Sequence, residues 1–412
     1  MTEATGERHG LLPEGRPDRT IWTIASGTFI AMLSVLFWMP FLPLYAQELG
    51  ATSSANALFW VALANFGLGI GRLISGPLWG VLADRFGRKL MLVRALCFAS
   101  LTMLIAGFAQ VPWHLVVAFT AQGLLSGFIP AAIALTSVSV PDSRMSRSLS
   151  LVTGAQHLGN TIGPSVGALV AISFGYRGAI FAGSLLPLVA AALIFLLVPA
   201  DHVAPRASTE ERAEARGGPP LWRTLTRQFY MAISIYFLLM ALDQLVRLAT
   251  PIALQGIVGR DGVAGATGLA FTCAGIAAVA GVVLIGQRYV VAGRLRITLI
   301  LGAVLSSGAY LGLAAADEML IYVAAFSVAA LLQATMVPAS NALIAANVPR
   351  ERRGTGFGIA GSAQAISFLC GPMAAAAFAA TSLSLGFVVL AGVLLGFAGL
   401  VVVGLREPVV GT

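Results

Sequence analysis

Charge is scarce in this chain of 412 residues. Asp, Glu, Lys and Arg together make up 10% of it, histidine occurs 4 times and cysteine 3 times. Soluble domains carry charge at about a quarter of their positions. A chain that is 58% apolar could not hide so much apolar surface from water. The shortage of ionisable groups also removes most enzyme chemistry. The sequence holds no nucleophile elbow, phosphate-binding loop, pair of carboxylates or metal-spaced cluster of His and Cys. No catalytic residue, metal or cofactor is therefore expected. Cys97, Cys273 and Cys370 lie singly inside apolar stretches, without metal or redox spacing, and read as small packing residues.

Unbroken apolar sequence is abundant instead. Stretches of the length that crosses a hydrocarbon core of about 30 Å recur from Ile21 to Gly404. They lie near 21–46, 57–82, 90–109, 113–138, 147–173, 178–198, 227–256, 264–288, 297–314, 319–346, 354–380 and 383–404. The expectation is an all-α membrane protein with twelve transmembrane helices in the lipid bilayer. Residues 1–20 read as a polar tail without a signal-peptide cleavage pattern and 201–226 as a solvated linker; 406–412 form a short tail.

A net charge of +8 could suggest a nucleic-acid partner. The distribution argues otherwise. Arg85, Arg88, Lys89, Arg94, Arg144, Arg147, Arg288, Arg294, Arg296, Arg350, Arg352 and Arg353 all fall in breaks on one side of the bilayer, as do the arginines of the linker. Of basic residues the opposite breaks hold only Arg177 and Arg260, alongside Glu48, Asp261, Asp317 and Glu318. Positive residues concentrate on the cytoplasmic face, which puts both termini in the cytoplasm of an inner-membrane protein and leaves no reason to invoke nucleic acid.

The chain repeats itself. Shifted by 208 residues, Pro43 meets Pro251, Gln47 meets Gln255, Pro130 meets Pro338, Gln156 meets Gln364, and Gly163-Pro164 meets Gly371-Pro372. Two copies of six helices, 21–200 and 227–405, are expected around an axis along the membrane normal. One chain then holds both halves of a pathway, and a monomer is expected.

Three segments carry a family resemblance. Gly80 to Lys89, with Asp84, Arg85, Gly87 and Arg88, resembles the major facilitator signature between helices two and three. Gly159, Gly163, Pro164 and Gly167 resemble the G-x-x-x-G-P-x-x-G pattern of the antiporter branch. Pro40 and Pro43, beside Trp38 and Phe41, are similar to the paired-proline signature of twelve-helix drug antiporters. The chain thus resembles the drug:proton antiporter family of the major facilitator superfamily, multidrug-efflux-like. That implies export of small amphipathic molecules or drugs, by alternating access and exchange for protons. It also implies that Asp84 latches the halves by meeting the start of helix eleven near Gly354–Gly356, where free amides favour an anion. Where the family carries an Arg three residues before a Gln-Gly pair, this chain has Phe119. An importer, uniporter, or lipid or metabolite transporter on the same fold is the alternative.

A charge at mid-membrane is costly and calls for a reason. Asp243 is the one acid deep in a span; Arg247 lies one helical turn on, and Arg72 lies in span two. Asp243 is either a protonatable switch, with Arg247 or Arg72 as charge partner, or half of a static ion pair. By analogy with the fold, Phe37, Trp38, Phe41, Gln156, Asn160, Tyr236, Met240, Gln333 and Asn341 are candidates to line a substrate cavity.

Overall fold

A computed structural model of the chain describes residues 17–140, 142–200, 226–290, 293–348 and 353–405. The tails and the 201–225 segment lie outside them. Inside lipid no water is available to the backbone, so each segment must satisfy its amides internally, and apolar runs of this length become helices. Among the described residues, ten helices are long and apolar enough to cross a membrane.

In the first half these are α1 (Pro17–Trp38), which continues through a tight turn at Met39–Phe41 into α2 (Leu42–Glu48); α3 (Ser54–Phe86); α4 (Arg88–Gly107); α5 (Trp113–Leu125) with α6 (Phe128–Ser139); and α7 (Asp142–Leu197). The second half holds α8 (Arg227–Ala280), α9 (Leu295–Ala314), α10 (Met319–Ala346), α11 (Arg353–Thr381) and α12 (Leu383–Gly404).

Two of the ten are double. The apolar stretch Leu151–Leu197 has 47 residues and Arg227–Gly286 has 60. At 1.5 Å per residue these are about 70 and 90 Å long, far beyond one crossing. Each leaves helical geometry at one glycine, Gly175 in α7 and Gly259 in α8. The chain folds back there. Gly163 packs on Leu36 while Gly183 lies beside Phe37, so residues on either side of Gly175 sit at one depth against α1. Likewise Thr250 and Phe271, on either side of Gly259, reach Tyr322 and Phe326 of α10. Among the described residues this makes twelve crossings.

The helices pack through glycines, as expected where lipid removes the usual hydrophobic drive and close backbone approach takes over. A Cβ on Gly159 would lie 2.7 Å from the Phe29 carbonyl, and one on Gly163 would lie 2.9 Å from Leu36 Cβ. One on Gly167 would fall onto the Phe37 carbonyl. The second half repeats the seam: a Cβ on Gly371 would lie 2.7 Å from the Ala241 carbonyl.

The fourth span departs from the sequence reading, which took 113–138 as continuous. It breaks at Ser126–Gly127, with Gly127 at φ 120, a conformation that side chains resist. The carbonyls of the last turn of α5 are left without helical partners. Ser75 donates to Gly123 O at 3.0 Å, Trp79 Nε1 to Leu124 O at 2.7 Å and Arg94 Nη1 to Leu125 O at 2.9 Å. The Arg94 guanidinium also stacks 3.3 Å over the Trp79 ring. Arg94, counted above among the basic breaks, is thus built into the bundle as a cap on a broken helix. The other departure lies in span eight, where Gly281–Gly286 winds as a π-helix before a last turn at Gln287–Tyr289.

Candidate functional site

The halves touch at one end and part at the other. At the end carrying Gln47, Gln255 Nε2 donates to Gln47 Oε1 at 2.9 Å, and Ser165 Oγ lies 2.6 Å from Thr272 Oγ1. Thr161 and Ala168 of α7 fill the places where Cβ atoms would stand on Gly275 and Gly268 of α8. The second arm of α8 therefore runs antiparallel to the first arm of α7, in close contact. Buried side chains of both halves merge there into one core cluster, from Phe37 and Tyr45 to Phe271 and Tyr322.

At the arginine-rich end the first half keeps a separate cluster of its own, built on Ile24, Leu96, Phe128, Leu135 and Ile194. Cβ atoms added to Gly76, Gly80, Gly154, Gly358 or Gly361 would meet nothing within 4 Å. The space between the halves opens at this end.

Asp243 and Arg247 sit midway along the first arm of α8. Arg247 Nε donates to both carboxylate oxygens of Asp243 at 2.8 Å. The two side chains are 26% and 38% exposed, enough to keep them in touch with the opening. The guanidinium also faces the Phe271 ring at 6.0 Å. Between the two candidate partners of Asp243, the geometry selects Arg247. Arg72 forms no ion pair or hydrogen bond among the described residues.

The remaining cavity candidates divide. Met240 meets Gln364 Nε2 at 3.7 Å, and Gln333 Nε2 donates to Leu239 O at 2.7 Å. Gln156 and Asn160 lie one turn apart and half-buried, with Gln156 Nε2 and Asn160 Oδ1 buried without a partner. Asn341 is half-buried on α10, and Tyr236 is buried. Phe37, Trp38 and Phe41 do not reach the opening. Trp38 packs edge-on against Phe119 with ring centroids 5.5 Å apart, and Phe41 stacks on Tyr176 at 5.8 Å. In this arrangement those three aromatics are core.

The segment Gly80–Lys89 is not a loop. It is helical through Phe86 and turns at the single residue Gly87, φ 92, directly into α4. Gly80 faces open space. Lys89 Nζ lies 5.3 Å over the Phe195 ring and Arg85 lies 5.4 Å over Phe86. The Asp84 side chain falls outside the described residues, as does that of Thr355; Gly356 is buried against Val348.

The sequence matches the Major Facilitator Superfamily over residues 24–259 and 247–411, nearly its whole length. The chain belongs to that superfamily. Among similar proteins, the multidrug resistance protein MdtG of Rahnella sp. (strain Y9602) is 36% identical over 174 residues, 41% of this chain and 42% of that one. The MdtG of Proteus mirabilis (strain HI4320) is 29% identical over 266 residues, 64% of each. The matched region thus spans well under the full length of these relatives. The solved nucleoside transporter NupG superposes with a TM-score of 0.72 at 13% identity, covering 92% of this chain and 99% of that one. At that identity the likeness is one of fold.

Within this superfamily fold, the three glycines of the antiporter-type motif sit on the α1 seam, and Pro164 is buried beside them. What the sequence reading missed is the polar contact between the halves, Gln47 with Gln255 and Ser165 with Thr272. The repeat already paired Gln47 with Gln255. A twofold axis close to both would have brought them together.

Proposed function

We propose that this chain is a secondary active exporter of small amphipathic molecules, working by alternating access in exchange for protons. The observation that carries the reading is the asymmetry of closure: hydrogen-bonded and close-packed at the Gln47 end, parted at the arginine-rich end, with a carboxylate at mid-membrane between. With the arginine-rich turns toward the cytoplasm of an inner membrane, this is an inward-open arrangement that accepts substrate from inside. Both termini then lie in the cytoplasm, and the monomer is the working unit.

The switch we assign is Asp243. Its partner Arg247 lies on the same helix, so rigid rocking of the halves does not by itself break the pair. Protonation does. A neutral Asp243 releases Arg247 to other acceptors, and that change biases the equilibrium between the two arrangements. The latch between Asp84 and the start of α11 belongs to the opposite, outward-open arrangement, when the open glycines on α3 and α11 come together.

A second reading, uniport or import without proton exchange, draws on two observations. Phe119 stands packed on Trp38 at the family's arginine position, and Asp243 is already paired with Arg247 on its own helix. Everted membrane vesicles separate the two. Efflux of fluorescent dyes that stops when a protonophore collapses the gradient supports exchange, and efflux indifferent to the protonophore refutes it.

A further inference from the structure

The opening between the halves is lined unevenly in charge. On α8, Asp243 and Arg247 neutralise each other through paired 2.8 Å contacts. On α3, Arg72 has no such partner. Its side chain is exposed, yet dense protein surrounds it, as befits a group lining an interior opening. Its place on the helix agrees. At 100° per residue Arg72 falls on the face of Asn65 and Gly76, well away from the exposed lipid-side residues Phe59, Phe66, Ile70 and Val81.

Two groups on α7 extend this wall. His157 is exposed in the same enclosed way, one turn before Thr161, which packs on Gly275 of the other half. Gln156 Nε2 is a buried donor without an acceptor. One turn after Gly275, Val279 of α8 offers exposed apolar surface.

A lone arginine at membrane depth is expensive unless it has a partner or a task. Here the fixed charge of the described groups facing the opening is net positive, while the unpartnered amide groups near it, Gln156 Nε2, Asn160 Oδ1 and Asn65 Oδ1, are uncharged and leave that positive charge unbalanced. A cationic guest would meet Arg72 unshielded in a low-dielectric space, whereas an anionic headgroup would supply the missing counter-ion. We propose that the opening selects amphipathic anions, molecules with a carboxylate or sulfonate head and an apolar body, and that Arg72 receives the head. The inference rests on the export reading and names the substrate class for that same site.

The test uses two dyes that share a xanthene core and differ in charge, anionic fluorescein and cationic rhodamine 6G, in proteoliposomes of the full chain. Wild-type protein is expected to move the anion at least several-fold better than the cation. Arg72→Gln is expected to cut anion transport about tenfold, the size of a lost hydrogen bond to a charged group, and to leave the cation unchanged or faster. Transport of the cation but not the anion overturns the anion selectivity and leaves export standing. Transport of neither dye counts against export itself, and selectivity falls with it. Anion transport at the wild-type rate in Arg72→Gln overturns the role of Arg72. Should that variant not fold, displacement of fluorescein from wild-type protein decides instead. Unlabelled amphipathic anions should compete and matched cations should not; equal competition overturns the proposal.

Discussion

Replacing Gly167 by alanine is the sharpest test of how the bundle is held together. The added Cβ would clash with the Phe37 carbonyl oxygen, a backbone atom that cannot rotate away. The first arm of α7 must then lift off α1. Overpacking of this kind costs about 1–3 kcal/mol, and a gap of 0.5–1 Å along the seam forfeits roughly a quarter to a half of each contact it opens. Against this stands the higher helix propensity of alanine, about 1 kcal/mol. The net expectation is a loss of about 1–2 kcal/mol or more. Gly154, on the same arm, meets nothing within 4 Å and keeps only the propensity gain. Thermal unfolding of detergent-solubilised protein, followed by tryptophan fluorescence at one scan rate because such unfolding is often irreversible, should place Gly167→Ala several degrees below wild type. Gly154→Ala should lie at or above it. Equal shifts for the two variants would refute the seam as the source of stability.

Three further outcomes follow from the same geometry. Asp243→Asn leaves Arg247 with an uncompensated charge; because that group is partly exposed the stability cost is about 1 kcal/mol, while efflux should lose its response to a proton gradient. Undiminished proton-driven efflux in vesicles would eliminate the switch. Arg94→Leu removes the cap from Leu125 and the stacking on Trp79, a charge-assisted contact worth about 1.5–3 kcal/mol, so the melting temperature should fall; an unchanged melt would show that the break in span four needs no cap. Cysteines replacing Gln47 and Gln255, in a background without Cys97, Cys273 and Cys370, should be bridged by a short reducible bis-maleimide. The bridge should arrest transport and reduction should restore it, whereas undisturbed transport by the bridged protein would mean that this end never opens.

Features that act through residue type were readable without coordinates. The arginine bias, the glycines four apart and the i,i+4 spacing of Asp243 and Arg247 each follow from lipid, close packing or helical geometry. Features that depend on which surface meets which were not. Ser126–Gly127 sits in an apolar run, and only the polar side chains of Ser75, Trp79 and Arg94 on neighbouring spans hinted that carbonyls there need donors. The aromatic cluster of Phe37, Trp38 and Phe41 reads equally well as cavity or core, and the rings of Phe119 and Tyr176 decide for core. The polar breaks at 173–178 and 256–264 shrink to single glycines, because the helices stay wound past the apolar stretch on each side.

The contact between Gln47 and Gln255 joins two positions 208 residues apart, each the other's copy. A side chain placed against its own duplicate must be complementary to itself, the same condition that governs the centre of an isologous dimer. Carboxylates would repel there and lysines would repel there, but an amide carries both a donor and an acceptor and can pair with its twin. Such a fastening is also uncharged, so it closes with equal strength whatever the acidity or voltage outside, and leaves the sensing of both to groups deeper within.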